Sequence, residues 1–314
     1  GSERAPAGGE TVAASAGDGA NVDPGGGARA AVLPRAEPAT GAPSGLSRLL
    51  LVVAFGTAVA SFVYEIAWIR MLSLVLGSAT HAFELMLSAF ILGLALGALQ
   101  VRRHADHFHR PLLALGVVQW VMGALAVATL PVYLWTFGAT ASLVSALDAT
   151  DAGYTAFTVA RYGLALLVML PATFCAGMTL PLITRTLMVA GDGERAIGRV
   201  YAVNTLGSIV GAALAGLVLM PLLGLKTMLI AGALVDMALG IWLVARAGEG
   251  VAAEEPAARE GTARARMRRA LGGGETRAAT VTGAALAATV LLVAGTAWSA
   301  TFDPHVLTSG VFRF

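Results

Sequence analysis

A chain of 314 residues that is 57% hydrophobic and 13% charged, with mean hydropathy +0.75, is too apolar for a water-soluble domain, in which about 25% of residues carry charge. A net charge of +2 with dispersed basic residues excludes a nucleic-acid-binding face. The one cysteine, Cys175, excludes an internal disulfide and has no His/Cys cluster around it to make a metal site.

Residues 1–46 are rich in Ala, Gly and Pro, lack any apolar period and are expected to form a disordered tail. Seven apolar stretches follow, at about 49–69, 82–101, 111–136, 154–178, 200–222, 227–245 and 278–300, each near the roughly 20 residues that cross a hydrocarbon core. The expected fold is therefore all-α, a polytopic transmembrane helix bundle of about seven spans. Six spans lie within 47–245. A charged linker over 246–277 separates them from a seventh at 278–300, and 301–314 leads out of the bundle.

The residues that break the apolar runs are the candidates for function. In span one, Glu65 and Arg70 are five positions apart, a displacement of about 140° around a helix, so each is expected to face a different neighbour. Tyr64 and Trp68 lie one turn apart and suit the outer membrane interface, where amphipathic rings collect. Glu84 in span two, Arg161 in span four and Asp236 in span six are the remaining ionisable groups at membrane depth. An intramembrane charge is costly without a partner, and Arg161 is expected to pair with one of the acids. Asp236 is the deepest. Each of these groups has two readings, a structural polar contact or a proton- or substrate-binding group. His81, at the start of span two, reads as a polar cap.

Small residues at four-residue spacing mark close helix packing: Gly56 with Ala60, Gly93 with Gly97, and Gly207 with Gly211. Pro131, Pro171, Pro181 and Pro221 lie within or beside spans and each removes an amide donor. His104, His107 and His109 follow span two but fit no tight metal-ligand spacing. Gly272, Gly273 and Gly274 precede a membrane span rather than follow a strand, so they read as a flexible joint and not a nucleotide-binding turn.

The basic residues sort by side. All but Arg70, Arg161, Lys226 and Arg313 fall in the tail, after span two, after span four or in the 246–277 linker. The positive-inside rule makes that face cytoplasmic. The N-terminus is then inside, and with seven spans residue 314 emerges outside. The 138–153 connection, with Asp148 and Asp151 and no basic residue, fits an external loop.

Two resemblances add to this reading. The run Gly97–Pro111, with Arg102, Arg103, Asp106 and Arg110, resembles the loop between helices two and three of major facilitator transporters, where an acid and bases hold neighbouring helix ends together; the family's Asp-Arg-x-Gly core is Asp106-His-Phe-His here. More of the chain is similar to the membrane-embedded fused major-facilitator/spermidine synthase-like family. The segments that carry this are Val63–Arg70 with Leu74–Gly77, Phe90–Gly97, Cys175–Arg185, Gly198–Gly207 continuing to Pro221–Gly224, and Phe302–Phe314. The resemblance implies a membrane bundle of half-facilitator type with one extra helix, followed by a soluble aminopropyltransferase domain. That domain would bind decarboxylated S-adenosylmethionine and a polyamine. Residues 301–314 would be its beginning, so this chain by itself is not expected to catalyse aminopropyl transfer or to hold a cofactor. The implied setting is a bacterial inner membrane, and the implied partners are the lipid bilayer, the synthase-like domain and, in one reading, a second copy of the chain.

Two functions follow. In the first, the chain anchors and docks a synthase-like enzyme. In the second, it is a transport or channel domain for a polyamine-like cation or other small solute, with Glu65, Glu84 and Asp236 as binding acids; a half-facilitator would then need a second copy to form a central pathway.

Overall fold

The computed structural model describes residues 44–76, 80–104, 108, 110–146, 150–254 and 275–299. Residues 1–43 of the expected tail, Asp106, His107 and His109, the glycine run and the 301–314 segment lie outside these residues, while the last three tail positions, 44–46, are helical. The described residues form α1 (Ser44–Leu76), α2 (Thr80–Arg103), α3 (Pro111–Ala146), α4 (Asp151–Val189), α5 (Arg195–Leu214), a π-helical turn (Ala215–Leu219), α6 (Met220–Glu254) and α7 (Glu275–Ser299). Among them there is no strand. Six helical stretches are long and apolar enough to cross a membrane.

The helices outrun the apolar stretches that predict them. α1 adds turns at both ends, α4 runs on to Val189, and α3 and α4 take up most of the expected 138–153 loop. Hydropathy reports which residues lipid tolerates, whereas a helix continues wherever its backbone bonds close. Pro131, Pro171 and Pro181 all sit inside continuous helices. Neighbouring helices and Ser/Thr hydroxyls absorb such interruptions where no water competes for the freed carbonyls.

Arg195–Ala247 is a single 53-residue apolar stretch. A straight helix of that length would run about 80 Å, far beyond a hydrocarbon core of about 30 Å. It is not straight. Gly224 has φ 72° and ψ 172°, a conformation that breaks the helix and that glycine adopts without the Cβ penalty. The packing on α1 gives the two directions. Gly207 lies against Phe55 and Gly211 against Val59, so α5 runs parallel to α1. Gly232 lies against Val63 and Tyr64 while Leu239 lies against Gly56, so α6 runs antiparallel to it. The chain therefore reverses at Gly224. Pro221, which has no amide hydrogen, comes two residues after the π-helical turn, with Met220 between them, and prolines and π-bulges are both recognised causes of helix kinks.

α1 is the central element, packed by α2, α3, α4, α5 and α6. One apolar cluster joins Trp68, Met71, Met122, Leu130 and Met169. A second, around Leu50, Leu115, Leu182 and Leu243, lies toward the other end of α1. α7 is mostly exposed, but two bonds hold it to the bundle. Trp120 Nε1 on α3 donates to Thr289 Oγ1 at 2.9 Å, and Lys226 Nζ on α6 donates to the Ala297 carbonyl at 2.8 Å. Where α4 turns into α5, Asp192 accepts from Ser47 Oγ on α1 at 2.5 Å and pairs with Arg199 on α5.

Candidate functional site

The site is a polar node buried where α1, α3 and α6 meet. Asp236 has no solvent exposure. Tyr64 Oη on α1 donates to its Oδ2 at 2.6 Å, and Gln119 Nε2 on α3 donates to its Oδ1 at 2.8 Å. The Thr57 hydroxyl, two turns before Tyr64 on α1, lies beside the same carboxyl group. It closes no hydrogen bond of good geometry, and Gln119 Oε1 is likewise unpartnered. Every member is almost fully buried.

Each helix contributes for a local reason. Positions 57, 60, 64, 67, 68 and 71 fall on one face of α1, and all are buried. Small residues at Gly232 and Gly240 bring α6 against α1 and α3: a Cβ at Gly232 would stand 2.9 Å from Tyr64 Cε1, and one at Gly240 would stand 2.6 Å from the Trp120 amide nitrogen. That approach is what lets short side chains such as Asp236 and Thr57 reach across. Next to the node, Trp68 Nε1 donates to Thr129 Oγ1 at 3.1 Å, and Thr129 Oγ1 in turn donates to the Ala126 carbonyl at 2.6 Å. The Tyr64 and Trp68 rings lie 5.5 Å apart.

This corrects the reading of Tyr64 and Trp68 as interface residues. Their exposures are 2% and 1%. Aromatic belts form because a ring with a polar tip satisfies both oil and water; here the polar tips find partners inside the bundle, so the rings turn inward. The expected pairing of Arg161 with an intramembrane acid is corrected for Asp236 and Glu65. Asp236 bonds to neutral donors, and Glu65 forms no hydrogen bond or ion pair among the described residues. Arg161 is partly buried, its guanidinium 5.4 Å from the centre of the Phe157 ring.

The other sequence candidates are scattered. Glu65 is half-buried one residue beyond Tyr64, while Arg70 and Glu84 are exposed. Arg102 and Arg103 are exposed in the last turn of α2, where cations oppose the helix dipole, and Arg110 is exposed just before α3. His104 Nδ1 lies 3.2 Å from the Gln100 carbonyl of its own helix. Among the described residues no three His, Cys, Asp or Glu side chains gather to hold a metal. Gly93 and Gly97 lie against Thr173 and Phe174 of α4, and Gly207 and Gly211 lie against α1.

Sequence reasoning named Asp236 and missed Gln119 and Thr57. A glutamine within the otherwise apolar run Leu112–Val127 was the available signal: an amide in hydrocarbon needs a partner.

Apolar helices of spanning length around an enclosed polar node define the class, a multi-pass helical membrane protein. No protein-family model, curated protein or solved structure matches the chain.

Proposed function

We propose that this chain is the membrane domain of a spermidine synthase-like fusion protein. Seven passes in a bacterial cytoplasmic membrane anchor and dock an aminopropyltransferase domain that uses decarboxylated S-adenosylmethionine. The observation that carries the anchor reading is the enclosure of Asp236. Its two oxygens are taken by donors from α1 and α3 and it has no exposure, the arrangement of an enclosed contact between helices rather than an open binding site. Transport of a polyamine-like cation would need its acids gathered on one open path. Glu84 instead sits exposed on α2, while Asp236 sits on α6, which packs against α1, α3 and α7.

The full-length parent, purified in nanodiscs, is expected to bind decarboxylated S-adenosylmethionine and transfer its aminopropyl group to a diamine. Failure to bind either a nucleoside or a polyamine overturns the proposal. Uptake of labelled polyamine into proteoliposomes, abolished by neutralising Glu65, Glu84 and Asp236 together, would move the assignment to transport.

The reversal at Gly224 supports seven passes, because it turns one apolar stretch into two antiparallel segments. With the arginine-rich connections inside, the N-terminus is cytoplasmic and residue 314 is outside. A phosphatase fused after Phe314 is expected to be active, and a fluorescent protein that matures only in the cytoplasm is expected to stay dark at the same position. The opposite pair of results means an even number of passes.

A further inference from the structure

We propose that Asp236, Tyr64, Gln119 and Thr57 form a reversible proton-binding site within the membrane. The geometry points to it because the node is equipped for both states of one carboxyl group. A carboxylate only accepts hydrogen bonds, whereas a carboxylic acid accepts and also donates one. Tyr64 Oη and Gln119 Nε2 are donors in place, one on each oxygen, and they serve either state. The state-dependent partner is the third group. Thr57 Oγ1 is buried within reach of the carboxyl group and closes no hydrogen bond of good geometry, so its hydroxyl is not committed to one role. A hydroxyl rotates to suit its neighbour. It donates to the carboxylate when Asp236 is charged and accepts from the acid O–H when Asp236 is neutral.

The surroundings select the ligand. Among the described residues the only other titratable group facing Asp236 is the Tyr64 phenol from α1. α3 presents the Gln119 amide and carries no Asp, Glu, Lys or Arg anywhere along its length. On α6 itself Lys226 reaches the Ala297 carbonyl of α7 and not Asp236, and on α1 Glu65 makes no bond to the node. Among the described residues no fixed cation lies against the carboxylate, and a proton is a ligand that can neutralise it there. A polyamine does not fit a carboxyl group with zero exposure; a proton needs no cavity. The step is balanced: one proton from water forms one O–H bond on Asp236, and the site changes from one negative charge to none. This inference needs only a membrane-embedded bundle and stands whether or not the synthase reading does.

The test is infrared difference spectroscopy of the full chain in lipid, with aspartate carrying a carbon-13 carboxyl label. A labelled carboxylic acid band is expected to appear at low pH and vanish at high pH, and to be lost in Asp236→Asn. Thr57→Val is expected to keep the band but shift it to higher frequency, because the acid O–H loses its acceptor. Tyr64→Phe is expected to move the pH at which the band disappears. If Asp236→Asn does not fold, the labelled band in the unaltered protein and its response to Thr57→Val still decide the matter. A band present at every pH makes the group a fixed acid, and one present at none makes it a fixed carboxylate; either overturns the proposal. A band displaced at constant pH by sodium but not by choline overturns it in favour of a metal-cation site.

Discussion

Gly97→Ala is expected to destabilise the bundle by about 3 kcal/mol, at the upper end of the usual overpacking cost. The reason is what the added methyl meets. A Cβ at Gly97 falls on the Phe174 carbonyl and lies 3.0 Å from the Gly177 Cα. The contact is reciprocal, since a Cβ at Gly177 would stand 2.7 Å from the Leu94 Cα. These are backbone atoms, which move only if α2 and α4 separate along much of their shared face. Gly93 offers a contrast on the same helix. Its nearest obstacles are the Thr173 hydroxyl, which can turn away, and the Thr173 Cβ at 2.7 Å, which moves only with the α4 backbone, so Gly93→Ala is expected to cost about 2 kcal/mol, less than Gly97→Ala. Gly163 has nothing within 4 Å of its built Cβ. There alanine is expected to be neutral or to stabilise α4 by up to about 1 kcal/mol through helix propensity. Reversible unfolding in mixed micelles, read as a titration midpoint for each variant, checks the order. A Gly97→Ala protein as stable as Gly163→Ala would mean that α2 and α4 do not approach at this point.

The gradient between those glycines separates what the sequence makes legible from what it does not. The four-residue spacing of Gly93 and Gly97 predicts a close-packed face, but it does not say that one glycine meets a hydroxyl and the other a carbonyl. Spans are legible for a similar reason: lipid solubility is a property of each residue, summed along the chain, so the apolar stretches find their helices. The helix ends are not, because backbone bonds continue past the hydrocarbon boundary, as α1 and α4 do. The break between α5 and α6 falls in the short gap left between the predicted spans, with Pro221 and Gly224 as its local signal, but only the packing of Gly207, Gly211 and Gly232 on α1 reveals the change of direction. Asp236 stands out by charge alone. Its partners do not, since Tyr64 is 172 positions away and Gln119 is 117, and no periodicity links residues so far apart. Charge alone offers Arg161 as a partner for any one of the acids. The fold instead used neutral donors, which reach the carboxyl group without bringing a second charge into the apolar interior.

Removing both donors while keeping Asp236 is expected to be the most damaging change to the polar node. Tyr64→Phe and Gln119→Leu each preserve the apolar bulk around them and each delete one hydrogen bond to the carboxyl group. Singly, each is expected to cost about 0.6–1.7 kcal/mol, the measured scale of side-chain hydrogen bonds in membrane bundles. Together they leave an acid that has no exposure with only the Thr57 hydroxyl beside it, and the expected loss rises to about 3–5 kcal/mol, as for a buried charged group that loses its main partners. The sign of the next step discriminates. Adding Asp236→Leu to the double variant deletes the acid and leaves Thr57 as the one polar member of the node, and replacing both sides of a buried hydrogen bond by apolar residues of similar shape is close to neutral. The triple variant is therefore expected to recover most of the lost stability, although it contains more substitutions than the double. Asp236→Leu alone is expected to be less stable than the triple variant, because it leaves the Tyr64 hydroxyl and the Gln119 amide without an acceptor at about 1–3 kcal/mol each. Unfolding midpoints of the single, double and triple variants in the same micelles measure the whole cycle. A triple variant less stable than the double would mean that Asp236 contributes through packing of α6 against α1 and α3 and not through the two hydrogen bonds it accepts.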